Sequence, residues 1–138
     1  MLETAIQMAL WAHSGQTDKG GQPYILHPLR VMMAMQTEHQ KIVAILHDVL
    51  EDSGTKPTDI LEAFGQEVLD DVLALTRLKG EAYDAFIQRC KANETARVVK
   101  LADLADNMNL SRLGREPTEK DLARRDKYER ASHALFND

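Results

Sequence analysis

An all-α domain is what this sequence predicts: a compact, single-domain bundle of about eight helices spanning residues 1–138. Three observations carry the reading. Apolar residues recur at helical spacing along most of the chain. No convincing strand alternation interrupts them. Proline, glycine and capping residues fall between the periodic stretches at short intervals. A chain of 138 residues can bury a core without covalent staples.

The first helix is expected from about Glu3 to His13, with Ala5, Ile6, Ala9 and Leu10 on one face and Trp11 in the core. Ser14 to Gln22 reads as a loop that Gly15, Gly20 and Gly21 allow to bend sharply. Pro28 suits a helix N-terminus, and Leu29 to Met35 is apolar enough to be buried. One continuous helix is expected from about His39 to Asp52, closed by Ser53-Gly54. Pro57-Thr58 opens a short helix that stops near Gly65. Glu67 to Leu78 and Glu81 to Ala92 supply two more. Asn93-Glu94 starts a helix continuing to about Leu113, and Thr118 caps the last, highly charged one ahead of Glu119 and Asp121.

Composition narrows the partners. Aromatics are 5% of the chain, so the core must rest on Leu, Ile, Val, Ala and Met. The net charge is −5 with the cations scattered, which argues against duplex nucleic acid as a partner. No apolar run approaches the roughly 18 residues of a membrane span, and Met1-Leu2-Glu3 does not open a secretory signal. The single Cys90 excludes an internal disulfide and fits a reducing compartment, so a cytoplasmic location is expected.

The chemistry gathers on two helices. On a wheel of the third, Ile42, Val43, Ile45, Leu46, Val49 and Leu50 share one arc, while His47, Asp48, Glu51 and Asp52 share the other. A solvated polar face is the plain explanation of such an arc. Three acids with no nearby cation, and an imidazole among them, favour a divalent metal instead. On the long helix near residue 100, Lys100, Asp103 and Asn107 form one polar stripe, and His27 lies in a third segment before Pro28. Two imidazoles with two carboxylates make a mixed nitrogen and oxygen site suited to Mn²⁺, Fe²⁺ or Zn²⁺. Glu51 and Asp52 remain for handling a proton. His13 reads as a packing or hydrogen-bonding residue, His39 and His133 as solvated, and Cys90 as packing. The Arg-rich last helix, with Arg124, Arg125, Lys127 and Arg130, reads as a solvated face balanced by its own acids.

These residues resemble the HD superfamily of metal-dependent phosphohydrolases, whose namesake pair would be His47-Asp48. Within it they are most similar to the hydrolase domain of the RelA/SpoT family and its stand-alone small alarmone hydrolases. The likeness runs through Ala12-His13-x-Gly15-Gln16, Gly21-Gln22-Pro23-Tyr24-Ile25-Leu26-His27-Pro28, Leu46-His47-Asp48-Val49-Leu50-Glu51-Asp52, Phe64-Gly65, Leu75-Thr76 and Lys100-Leu101-Ala102-Asp103. It implies an HD-type helical bundle in which His27, His47, Asp48 and Asp103 hold the metal, usually Mn²⁺. It further implies that Glu51 and Asp52 serve water activation and transition-state charge, and that Asn107 meets a nucleotide. The implied reaction removes pyrophosphate from the ribose 3′ position of guanosine tetra- or pentaphosphate. Long members add a synthetase domain for which this chain has no room, so purely hydrolytic activity is expected.

Three positions depart from the family pattern. Asp18 then Lys19 stand where Arg then Lys are usual, Leu104 follows the metal Asp in place of a basic residue, and Leu110 replaces a polar one. Lys19 is left as the loop's cation for a phosphate, and Asp18 is expected to repel a polyphosphate and to weaken discrimination among bases. Two other readings follow: a phosphohydrolase acting on another nucleotide or phosphorylated cofactor, and a nucleotide sensor without turnover. The intact acids Glu51 and Asp52 speak against the sensor.

Overall fold

The computed structural model describes residues 1–137. Nine α-helices follow in order among them: α1 (Leu2–Ala12), α2 (Leu26–Met33), α3 (Glu38–Leu46), α4 (Val49–Asp52), α5 (Pro57–Phe64), α6 (Gln66–Ala74), α7 (Tyr83–Lys91), α8 (Glu94–Asn107) and α9 (Glu119–Phe136). A 3₁₀ turn over Leu110–Leu113 lies between the last two. Among the described residues no helix is long and apolar enough to cross a membrane.

Helix α3 is the axis of the fold. Its residues Ile42, Val43, Ala44, Ile45 and Leu46 are all buried, because α1, α2, α6 and α8 pack around it. The start of α3 is fixed by a reciprocal cap. Thr37 Oγ1 accepts from Gln40 N at 3.1 Å, and Gln40 Oε1 accepts from Thr37 N at 3.2 Å. The α8 start is held by Asn93, whose Oδ1 accepts from Ala96 N at 2.9 Å. Gly65, at φ 94°, turns the chain between α5 and α6 with no room for another helical residue. Helices α7, α8 and α9 pack on one another and complete the bundle.

Several expectations are corrected. Trp11 is 85% exposed rather than core, and Leu10 is 48% exposed. Helix α1 reaches α3 through Ala5 and Ala9, and Trp11 stands about 200° around the wheel from Ala9. The helix expected from His39 to Asp52 is broken at His47-Asp48, and the long helix ends at Asn107 rather than near Leu113. His39 is not simply solvated, since its Nε2 lies 2.7 Å from Asp71 Oδ2. His13 does form a hydrogen bond, between Nδ1 and Gln16 Oε1 at 2.9 Å.

Cys90 is fully buried and its Sγ donates to the Ala74 carbonyl at 3.3 Å. Burial pushes the thiol pKa up to about 11, so little thiolate exists near neutral pH. The native protein should therefore resist a thiol-specific disulfide reagent and react fully once unfolded. Rapid labelling of the folded chain, followed by absorbance, would show that α7 opens readily.

Candidate metal centre and adjoining cavity

The break after α3 is what brings two consecutive residues to one point. In a continuous helix, neighbours diverge by about 100°. Here the backbone tightens, with His47 N donating to the Ala44 carbonyl at 3.3 Å, and Asp48 leaves the helix at φ −108° and ψ 0°. Both side chains then turn toward α8 and the start of α2, which supply Asp103 and His27. The four residues offer ligand atoms that all lie within 4.8 Å of one another. His27 Nε2 is 2.8 Å from Asp103 Oδ1 and 3.9 Å from Asp48 Oδ2. His47 Nε2 is 3.0 Å from Asp48 Oδ2 and 3.3 Å from Asp103 Oδ1.

The outer nitrogens fix which lone pairs point inward. His47 Nδ1 donates to the Ala44 carbonyl at 2.6 Å, and His27 Nδ1 donates to Asp106 Oδ2 at 2.6 Å. The carbonyl contact requires the proton on His47 Nδ1, so a neutral His47 ring presents Nε2 as an electron-pair donor, and His27 with its proton on Nδ1 would do the same. His47 Nε2 is buried and has no hydrogen-bond partner. An imidazole lone pair facing two carboxylate oxygens would be repulsive, so the cluster calls for positive charge at its centre, either a proton on the ring or a bound cation. The donor set and the orphaned nitrogen therefore fit a divalent metal ion. Electrostatics agree. Burial lowers the His47 pKa, but Asp48 and Asp103 outweigh it and hold it well above the ordinary imidazole value. Burial would raise the Asp103 pKa, yet Lys100 and the imidazoles hold it well below the carboxylate range.

Supporting contacts surround the four. Tyr24 donates its hydroxyl to Asp48 Oδ2. Lys100 Nζ donates to Asp103 Oδ2 at 2.8 Å, and Asn107 Nδ2 donates to Asp103 Oδ1 at 3.1 Å. Glu51 and Asp52 sit on α4 at the surface. Burial and then the Arg77 N–H act oppositely on Glu51, the latter lowering its pKa through a 2.5 Å bond to Oε1. The net shift is upward, with Asp48 and Asp52 adding to burial. Burial and then Asp48 raise Asp52 as well.

A cavity of about 360 Å³ adjoins the cluster at His27 and Tyr24. The expected substrate residues Lys19 and Asn107 both line it, together with Arg112, Arg124 and Tyr128. Arg124 is thus not only part of a solvated face; it lines this cavity and pairs with buried Asp121 at 3.2 Å. Burial and then Arg124 lower the Lys19 pKa, which a bound anion would reverse. Asp18 does not stand as a free repelling charge. Its Oδ1 accepts from Gly20 N and Gln22 N, each at 2.9 Å, and its Oδ2 lies 3.7 Å from Arg112 Nη1. Neither Arg112 nor Asp106 stood out in the sequence; the only cue was Asp106 lying one turn after Asp103.

Asp106 joins the two halves of the site. It accepts from His27 and also from Arg30, whose Nε is 2.7 Å from Oδ1, with Arg112 Nη2 at 3.3 Å from Oδ2. A carboxylate behind a ligating imidazole orients the ring and raises its basicity. Asp106→Ala should weaken divalent-metal binding by about 10- to 100-fold with helical content unchanged. Calorimetric titration of both proteins measures this, and equal affinities would show that packing alone orients His27.

Comparison with known proteins agrees with this geometry. The HD domain family model matches residues 5–109. A guanosine-3′,5′-bis(diphosphate) 3′-pyrophosphohydrolase of Aquifex aeolicus is 31% identical over 135 residues, covering 89% of this chain and 19% of that protein. The bifunctional (p)ppGpp synthase/hydrolase SpoT of Escherichia coli is 32% identical over 122 residues, covering 78% of this chain and 17% of that protein. The chain thus spans about a fifth of the length of these curated relatives. Among solved structures, a metazoan ortholog of SpoT that hydrolyses ppGpp has a TM-score of 0.78 at 22% identity, covering 97% of this chain and 84% of that one. With its helical bundle, its His47-Asp48 joint and this family match over most of its length, the chain belongs to the HD domain family.

Proposed function

We propose that this chain is a divalent-metal-dependent hydrolase that releases pyrophosphate from the ribose 3′ position of guanosine 3′,5′-bis(diphosphate) or its pentaphosphate, leaving GDP or GTP. The observation that carries the reading is the junction of two features at His27. A four-donor cluster calling for a cation meets a cavity lined by the cations Lys19, Arg112 and Arg124. The names of the relatives support the same substrate. Buried, free Cys90 suits a reducing compartment such as the cytoplasm.

His27, His47, Asp48 and Asp103 would hold the ion, with Mn²⁺ the proposed metal and Fe²⁺ or Zn²⁺ compatible with the donors. A divalent ion there supplies Lewis acidity, making a water easier to deprotonate and offsetting charge on a phosphoryl oxygen. The chain's own groups do the rest. Glu51 Oε1 is held by the Arg77 N–H, which leaves Oε2 to take a proton from the attacking water. The new bond joins that water oxygen to the phosphorus bound at the ribose, and the bond to the 3′ oxygen breaks. Asp52, whose pKa is raised, would return a proton to the departing 3′ oxygen. Lys19 and Arg124 bind the remaining phosphates, and Asn107 steadies Asp103 beside the ribose.

Purified protein supplied with Mn²⁺ should release pyrophosphate from guanosine tetraphosphate. A panel that also holds other 3′-phosphorylated nucleotides tests the substrate, and turnover of the others alone would replace it. Asp48→Ala should lose both metal and turnover; full metal occupancy in that variant would remove Asp48 from the site. Glu51→Gln should lower turnover by roughly 10²-fold at unchanged metal content. Near-normal rates would make Glu51 a surface acid.

A further inference from the structure

We propose that Arg112 is a base-binding residue, a guanidinium clamped by Asp18 and Asp106 so that its flat face receives the base of a nucleoside polyphosphate. The proposal rests on the nucleotide reading of the cavity given above. Arg112 lines that cavity, and its guanidinium nitrogens are engaged by or enclosed within the protein. Nη2 donates to the Asp106 carbonyl at 2.6 Å and lies 3.3 Å from Asp106 Oδ2. Nη1 lies 3.7 Å from Asp18 Oδ2, and Nε is enclosed without a partner. Two carboxylates balance its charge. What remains for the cavity is the planar surface, on which a base can stack.

The clamp is built into the backbone. A Cβ at Gly20 would stand 2.1 Å from the Arg112 carbonyl oxygen, so only glycine lets the loop settle on the 3₁₀ turn. Asp18 closes that loop on itself through Gly20 N and Gln22 N while its other oxygen faces Arg112. An acid at position 18 also lines the cavity, with Oδ1 occupied by the loop's own N–H groups and Oδ2 facing the guanidinium. Lys19 and Arg124 differ in kind, being mutually repelling cations suited to phosphate. Stacking reads the π-face that every base has, so weak discrimination among bases follows from Arg112 rather than from repulsion by Asp18.

Equilibrium binding of GDP, ADP and inorganic pyrophosphate to the whole chain tests this by titration calorimetry. Arg112→Ala and Arg112→Lys should each weaken GDP and ADP alike by roughly 5- to 150-fold and leave pyrophosphate unchanged. Gly20→Ala, which keeps every charge but displaces the loop from the 3₁₀ turn, should weaken GDP and ADP alike, with circular dichroism confirming the fold of each variant; the pyrophosphate comparison is read from the Arg112 variants alone. Lysine restoring wild-type GDP binding would overturn the proposal, because charge would then suffice. So would pyrophosphate affinity falling with that of the nucleotides, since Arg112 would then be a phosphate ligand. A wild-type chain that binds neither nucleotide would overturn the nucleotide reading itself. Wild-type binding with unaffected variants would overturn only the role of Arg112.

Discussion

Two imidazole lone pairs and two carboxylates turned toward one interior point are unstable company without positive charge between them. The cost of that arrangement is what the surrounding structure is organised to meet. Ala44 and Asp106 hold the outer nitrogens so that neither ring can turn away. Lys100 satisfies the Asp103 oxygen that faces outward, while Tyr24 and Asn107 donate to the Asp48 and Asp103 oxygens that face the imidazoles. The apolar run from Ile42 to Leu46 keeps water from the inner side of the same helix. A hydrophobic axis and an ionic cluster thus occupy successive residues of one segment, and neither can move without the other.

The pattern of apolar spacing carried most of the fold, and the spacing of His, Asp and Glu carried the ligand cluster. Both are legible because they are repeated signals, several residues pointing to one face. What was not legible has no repetition behind it. A break at His47-Asp48 leaves no mark on a helical wheel, since both sides of it share one periodicity. Trp11 was assigned by its residue type, whereas its wheel angle from Ala9 decided its exposure. Asp18 was read by charge alone, but its role depends on Gly20 and Arg112, the latter distant in sequence. Asp106 and Arg112 needed the folded chain to show that one carboxylate serves both His27 and a cavity residue.

Exposed Trp11 also borders a second, open groove between α1 and α5, with Asp59 and Glu62 on its rim. It lies apart from the four-donor cluster, on the face of α1 opposite Ala5 and Ala9.

The joint at His47-Asp48 has a mechanical consequence. Helix α4 contains only four residues, too few to hold a helical shape by their own hydrogen bonds. It is tethered at its front by Asp48 and near its end by the Arg77 N–H on Glu51. An ion gripping Asp48 would shorten the free play of this segment from its leading edge, as a clamp shortens a vibrating reed. The acids carried by α4 would then be ordered by the act of loading the site, so that readiness for chemistry arrives together with the ion.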